Sequence, residues 1–242
     1  MALLLEACLN GSRTDDEHPA IPRTPCELAA EARASADAGA RVLHLHPYDD
    51  GRETLEAEPC AAALRAVRAS CPGIPISLST SADIEADPGR RLERVAAWTE
   101  LPELVTANQG EPGILELCEH LIGRGVGIEA GLLRLEDAQA FVSAGIADRC
   151  VRVLLEPLDG DPQAAVAHAA AMEQVLADAC VSLEQVHHGD GAAGWHVIER
   201  AISRGHGIRI GLEDTTVLPD GSRAAGNAEL VRAAGAMLRL GA

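Results

Sequence analysis

Eight short apolar runs alternate with segments of helical period along this chain, and that alternation constrains the fold more than any other feature. The runs cover residues 3–8, 41–46, 75–79, 104–108, 125–131, 149–156, 184–188 and 207–212. The clearest helical segments between and after them are 25–38, 61–70, 163–179, 195–204 and 227–240. A helix between successive strands makes the strands parallel, which defines an α/β protein. With 242 residues, the chain has the length of one eight-unit barrel. The expected fold is therefore a single (β/α)8 TIM barrel, with residues 1–242 forming one catalytic domain; an open sheet is the alternative. No linker or low-complexity tract divides the chain. The first helix has a marked start, because Thr24 can cap it, Pro25 fits its first turn and Glu27 can reach back to complete a capping box. Gly39 and Gly205 close two of the helices just before the next strand.

Composition excludes several function classes. Hydrophobic residues make up 47% of the chain but aromatic residues only 2%, so the core has to be aliphatic. No stretch reaches the roughly 18 apolar residues of a membrane span, and no basic region precedes the first apolar run. A cytoplasmic protein with no membrane partner is the expectation. A net charge of −17 repels phosphate backbones, so no nucleic-acid partner is expected. Seven scattered cysteines without a C-x-x-C pair read as small core hydrophobes, not as a metal site or a disulfide framework. All 20 residues counted as Lys+Arg are arginine. Schiff-base chemistry, pyridoxal phosphate and a Walker-type phosphate loop all require a lysine amine, so none of them is available. Carbonyl activation is left to a metal or to hydrogen bonds.

In a barrel, chemistry sits at the C-terminal ends of the strands. The second run ends in His44, Leu45 and His46, and a period of two puts both imidazoles on one face. Ligation of a divalent metal, zinc above all, accounts for two imidazoles facing one space; two separately satisfied core histidines are the alternative. The last run ends near Arg209, Glu213 and Asp214. Glu213 could complete a His2Glu site with an open fourth position while Asp214 or Arg209 faces a substrate, or the two carboxylates could simply cap the junction. Ser79, Thr80, Thr106, Asn108 and Glu129 end other strands and would make a polar substrate pocket, unless they serve as helix caps. Glu156, His188 and Asp190 also end strands, and capping explains Glu156 and His188 best. Gly189, Gly191 and Gly194 form a G-x-G-x-x-G with Glu213 about twenty residues later, the spacing of a dinucleotide fingerprint. Only one helix follows Glu213, too little for that fold. Within a barrel these glycines would form a phosphate or carboxylate cradle or a plain tight turn.

His44-Leu45-His46, Ser79-Thr80, Thr106-x-Asn108 and Arg209-x-Gly211-x-Glu213-Asp214 occur in order, in a pattern that resembles the β-keto acid cleavage enzymes. The resemblance runs from Asn10 to Asn227. It implies a zinc barrel, most often a homo-oligomer (dimer or tetramer), that takes a β-keto acid and acetyl-CoA and yields acetoacetate and a new CoA thioester. It further implies that His44, His46 and Glu213 bind zinc, that Asp214 with Arg209 manages proton transfer, and that Ser79, Thr106 and Asn108 hold the substrate. Four positions at three places depart from the family pattern. Arg13 replaces a glutamate and would suit an anionic substrate end, Tyr48 replaces an arginine, and Ser81-Ala82 replace two glycines. The remaining readings are a metal-dependent barrel lyase or hydrolase without CoA, and a barrel that binds an anionic metabolite without chemistry.

Overall fold

A computed structural model describes residues 3–240. Eight parallel strands close a barrel: β1 (Leu5–Cys8), β2 (Val42–Leu45), β3 (Ile76–Ser79), β4 (Leu104–Asn108), β5 (Gly127–Leu132), β6 (Arg152–Leu155), β7 (Glu184–His187) and β8 (Gly207–Ile210). Neighbours follow chain order, and β1 pairs with both β2 and β8 to complete the ring. The eight strands expected from the apolar runs are thus the eight barrel strands, with ends unchanged or shifted by up to three residues.

The outer layer comprises α1 (Pro25–Ala38), α2 (Ala57–Ser70), α3 (Pro88–Ala96), α4 (Ile114–Gly123), α5 (Leu135–Ala144), α6 (Pro162–Asp178), α7 (Gly194–Arg204) and α8 (Asn227–Leu240). α1 carries the expected capping box: the Thr24 side chain accepts from the Glu27 amide, and the Glu27 carboxylate accepts from the Thr24 amide. Helices α3, α4 and α5, of 9, 10 and 10 residues, have no counterpart among the segments delimited by helical period in the sequence. A small antiparallel hairpin, Tyr48–Asp49 with Arg52–Glu53, follows β2 and has no counterpart among the expected elements.

Outward-facing strand residues and inward-facing helix residues form one aliphatic layer that includes Leu28, Leu43, Leu64, Ile76, Val105, Leu117, Ile128, Leu176, Ile208 and Leu230. Five cysteines are buried as expected, but Cys26 and Cys180 are exposed, because the first turn of α1 and the turn after α6 leave them outside the core. The barrel interior is unusually polar. Register aligns His44 with Ser77, Ser79 with Thr106, Thr106 with Glu129, Glu129 with Arg152, and Glu6 with Arg209. Each aligned pair faces the same side of the sheet, so these side chains stack into layers inside the ring.

Candidate active site

β2 delivers the two histidines to the rim. His44 is 1% exposed and His46 7%, and their Nε2 atoms lie 3.1 Å apart. Glu213, on the turn after β8, brings Oε2 to 3.6 Å from His44 Nε2 and Oε1 to 3.5 Å from His46 Nε2. A tetrahedral ion with bonds of about 2.0–2.1 Å has ligand–ligand edges of about 3.3–3.4 Å; the Nε2–Nε2 separation and the approach of each Glu213 oxygen to one imidazole lie close to that value. Glu213 Oε2 is buried and has no hydrogen-bond partner among the described residues. An unpartnered buried carboxylate oxygen is costly, and a cation among these three groups removes that cost. The donor set therefore fits a divalent ion with nitrogen and carboxylate ligands.

The imidazoles are aimed from behind. Ser77 has one hydroxyl proton, and it goes to the buried Glu129 carboxylate. Ser77 Oγ, 3.3 Å from His44 Nδ1, is thereby left to accept from that nitrogen, so the Nε2 lone pair points into the site. Glu53, from the hairpin, binds His46 Nδ1 in the same way. Burial pushes the His44 imidazole well below the ordinary histidine range, while Glu213 pulls the other way. Burial opposes charge on His46 too, but Glu213 and Glu53 outweigh it and push the group up to about 9. Carboxylates that attract a proton to this spot attract a metal cation for the same reason.

Arg209 is 2% exposed and reaches Glu213 Oε1 and Asp214 Oδ1, the latter at 3.2 Å. Burial works against ionisation of Asp214, yet Arg209 and His188 hold its carboxyl below the usual range. Cys8 Sγ donates to Asp214 Oδ2 at 2.8 Å, and burial first, then Asp214, pushes that thiol well above its ordinary value. Gly11 allows this corner to close: its φ is +58°, and a Cβ there would lie 2.4 Å from Glu213 Cγ.

These groups open onto a cavity of about 230 Å³ lined by, among others, His44, His46, Ser79, Thr106, Asn108, Glu156, Arg209 and Glu213. The family model for beta-keto acid cleavage enzymes matches residues 2–126 and 132–241. The chain belongs to the beta-keto acid cleavage enzyme family. It is 28% identical over 248 residues to the 3-keto-5-aminohexanoate cleavage enzyme of Fusobacterium nucleatum subsp. nucleatum, covering 95% of this chain and 88% of that protein. It is 33% identical over 124 residues to the enzyme of the same name from Acetoanaerobium sticklandii, covering 50% of this chain and 45% of that one. Among solved structures, ObcA in ternary complex with a C4-CoA adduct and oxalate superposes with a TM-score of 0.74 at 18% identity, covering 91% of this chain. This chain spans 64% of the length of that ObcA chain.

Within this family member, the structure gathers His44, His46, Glu213, Arg209, Ser79, Thr106 and Asn108 at one cavity, as the sequence led us to expect. Four other residues lie off the cavity wall. Asp214 stands behind Arg209. Thr80 turns its hydroxyl to the Thr106 carbonyl at 2.7 Å, tying β3 to β4. Glu129 is fully buried below His44, bound to Ser77 and, at 3.1 Å, to Arg152. Arg13 donates to the carbonyls of Glu213 and Asp214, to Glu17 and to Asp190, so its guanidinium braces the turn after β8 instead of facing the cavity. The glycine-rich loop after β7 gives the Gly191 amide to the Asp214 carbonyl at 2.9 Å, which makes it a turn that supports the same segment. A closed barrel also removes the dinucleotide reading. Tyr48 donates to the Gly11 carbonyl at 2.7 Å, and Ser81 and Ala82 lean on Glu111, which also accepts from Asn108 at 3.0 Å.

Sequence reasoning missed Ser77 and Glu53. Ser77 was legible in retrospect, since it precedes Ser79 by two residues and shares its inward face. Glu53 carried no signal, because only the hairpin folds it back onto His46.

Proposed function

We propose that this barrel cleaves a β-keto acid at a zinc centre held by His44, His46 and Glu213, with acetyl-CoA as cosubstrate, giving acetoacetate and a new CoA thioester. One observation carries the reading: in a member of this family, two buried imidazole nitrogens 3.1 Å apart face the Glu213 carboxylate, whose Oε1 and Oε2 lie 3.5 and 3.6 Å from one nitrogen each, and Oε2 has no hydrogen-bond partner among the described residues. When bound, the metal polarises the β-carbonyl and supplies the electrophile that a lysine-free chain lacks. The protein does the rest. Ser79, Thr106 and Asn108 offer hydroxyl and amide groups that orient the keto acid, and Arg209 places a cation on the wall for its carboxylate. Asp214 with Arg209 manages the proton whose removal makes the substrate nucleophilic toward the thioester. The names of the relatives, and the oxaloacetate and CoA adduct in the ObcA complexes, support a small keto acid and a CoA partner.

Replacing His44 with Ala is expected to abolish both zinc retention, read by elemental analysis, and turnover. An unchanged metal content would overturn the ligand assignment. A β-keto acid panel run with and without acetyl-CoA, read by mass spectrometry of CoA esters, tests the cosubstrate; cleavage independent of acetyl-CoA would replace it with a simple lyase.

A further inference from the structure

Asn108 ends β4 on the cavity wall, and its carboxamide is held from behind by a carboxylate outside the cavity. Glu111 lies in the turn between β4 and α4, off that wall, with its side chain 14% exposed. Its Oε1 accepts from Asn108 Nδ2 at 3.0 Å, from the Ala82 amide at 3.0 Å and from the Ser81 hydroxyl at 3.4 Å. Its Oε2 accepts from Arg91, a residue of α3 that is 1% exposed and that also donates to the Pro112 carbonyl. One carboxylate thus joins the ends of β3 and β4 to α3, with a buried cation holding it in place.

These contacts decide what Asn108 presents to a bound molecule. A carboxamide carries a donor and an acceptor on one pivot, and a half turn exchanges them. A carboxylate only accepts, so Nδ2 is the atom that stays beside Glu111. The other side of the carboxamide is fixed by shape: Gly131 pairs with Asn108 across β4 and β5, and a Cβ there would lie 2.3 Å from Asn108 Oδ1. Glu111 takes one N–H of Nδ2, and the second has no acceptor among the described residues. The neighbouring loop has no donor to add. The amides of Ser81, Ala82 and Asp83 are committed to Ser79 Oγ, Glu111 and Ser81 Oγ, so the segment that carries Ser81-Ala82 in place of two glycines offers an anion no free N–H from these three. The oxygens of an ionised β-keto acid are all acceptors, so the wall has to supply donors from side chains.

We propose that Glu111, held by Arg91, is the positioning residue that makes Asn108 a hydrogen-bond donor to an oxygen of the bound β-keto acid, in place of the loop amides that Ser81 and Ala82 have tied up. This inference rests on the β-keto acid reading and adds to it a residue outside the cavity that sets how the keto acid is held. Without the Glu111 carboxylate, the carboxamide is free to turn Oδ1 toward the substrate, and two acceptors then face each other.

The test is the acetoacetate affinity of the zinc-loaded protein in a double-mutant cycle, with zinc content read in parallel. Glu111→Gln keeps the shape, but a carboxamide at this position both donates and accepts and no longer dictates which way Asn108 turns. It is expected to weaken acetoacetate binding by about 10–100-fold, the loss of one hydrogen bond to a charged group, with zinc content unchanged. Asn108→Ala is expected to lose as much. In the Asn108→Ala background, Glu111→Gln is expected to cost no more than about twofold further, since it acts through Asn108. Additive losses overturn the proposal, and so does a loss in Glu111→Gln that tracks lost zinc. Glu111→Gln also leaves the buried Arg91 without its counter-charge and lowers stability, so the parent protein supplies a second measurement. The chain has three asparagines, Asn10, Asn108 and Asn227, so nitrogen-15 asparagine labelling gives three side-chain NH2 pairs, that of Asn108 being assigned by its loss in Asn108→Ala. Saturating acetoacetate is expected to shift the Asn108 pair; a pair that stays in place while acetoacetate binds overturns the donor role. If the parent neither binds acetoacetate nor cleaves any β-keto acid, the function reading itself fails; if it cleaves while the cycle is additive, only the positioning of Asn108 fails.

Discussion

Gly211 shows how tightly single residues constrain this site. A Cβ at that position would lie 1.8 Å from the Cys8 carbonyl oxygen, because the chain leaving β8 runs against the end of β1 two residues before Glu213. Gly211→Ala therefore has to move backbone, not a side chain. We expect a loss of about 3 kcal/mol in urea unfolding, at the upper end of overpacking costs, together with weaker metal retention. Stability and zinc affinity equal to the parent would show that the contact relaxes freely. Glu53 acts through orientation. It fixes the His46 ring through Nδ1, so Glu53→Gln keeps the shape but weakens the charge that holds the ring. Zinc affinity is expected to fall by about 10–100-fold in competition with a chromophoric chelator, with unfolding little changed. An unchanged affinity would mean that β2 alone positions His46.

At the scale of elements, α8 is anchored to both strands that frame the site: Asn227 donates to the Leu9 carbonyl at 2.9 Å and accepts from the Leu212 amide at 2.8 Å. On the outer layer, a second charged cluster joins α6, α7 and β7. Burial disfavours the Glu173 carboxylate, but Arg204, Arg200 and His206 outweigh it and hold the group at about 2. Burial, helped by His206, holds His187 at about 3, with its ring stacked 4.7 Å from that of His206. Both shifts act in the same direction on acidification. As pH falls from about 6.5, the unfolded chain protonates His187 while the folded chain refuses the proton, and from about 4.3 down the unfolded chain also protonates Glu173 first. The unfolded state binds more protons over this whole range, so stability declines as pH drops from 6.5 toward 2. Thermal melts should show Tm falling between pH 6.5 and 4, with a shallower fall in His187→Gln. Parallel curves for the two proteins would remove His187 as the cause.

For the molecule as a whole, the absence of lysine gives a direct prediction. Borohydride added with a β-keto acid traps lysine imines, so it is expected to leave activity intact and add no substrate mass to the chain; inactivation with a mass increase would contradict the metal-centred reading. The fold was legible because eight apolar runs with intervening helical periods have few ways to pair, and barrel closure satisfies the outermost strands. His44, His46, Ser79, Thr106 and Asn108 were legible because a period of two and a strand end together specify both face and height. Thr80, Glu129 and Arg13 were placed at the same rim but serve strand ties, a buried ion pair and a loop brace, since alternation along one strand does not reveal which neighbour a side chain meets. Glu156 and His188 read as caps for a related reason: their link to Asp214 spans three strands. Local sequence thus determined the element order, the ligand types and the side of each strand on which they stand. Only closure of the ring decided the partners, because hydrogen-bond networks across a barrel depend on inter-strand register and depth, which are properties of the whole sheet.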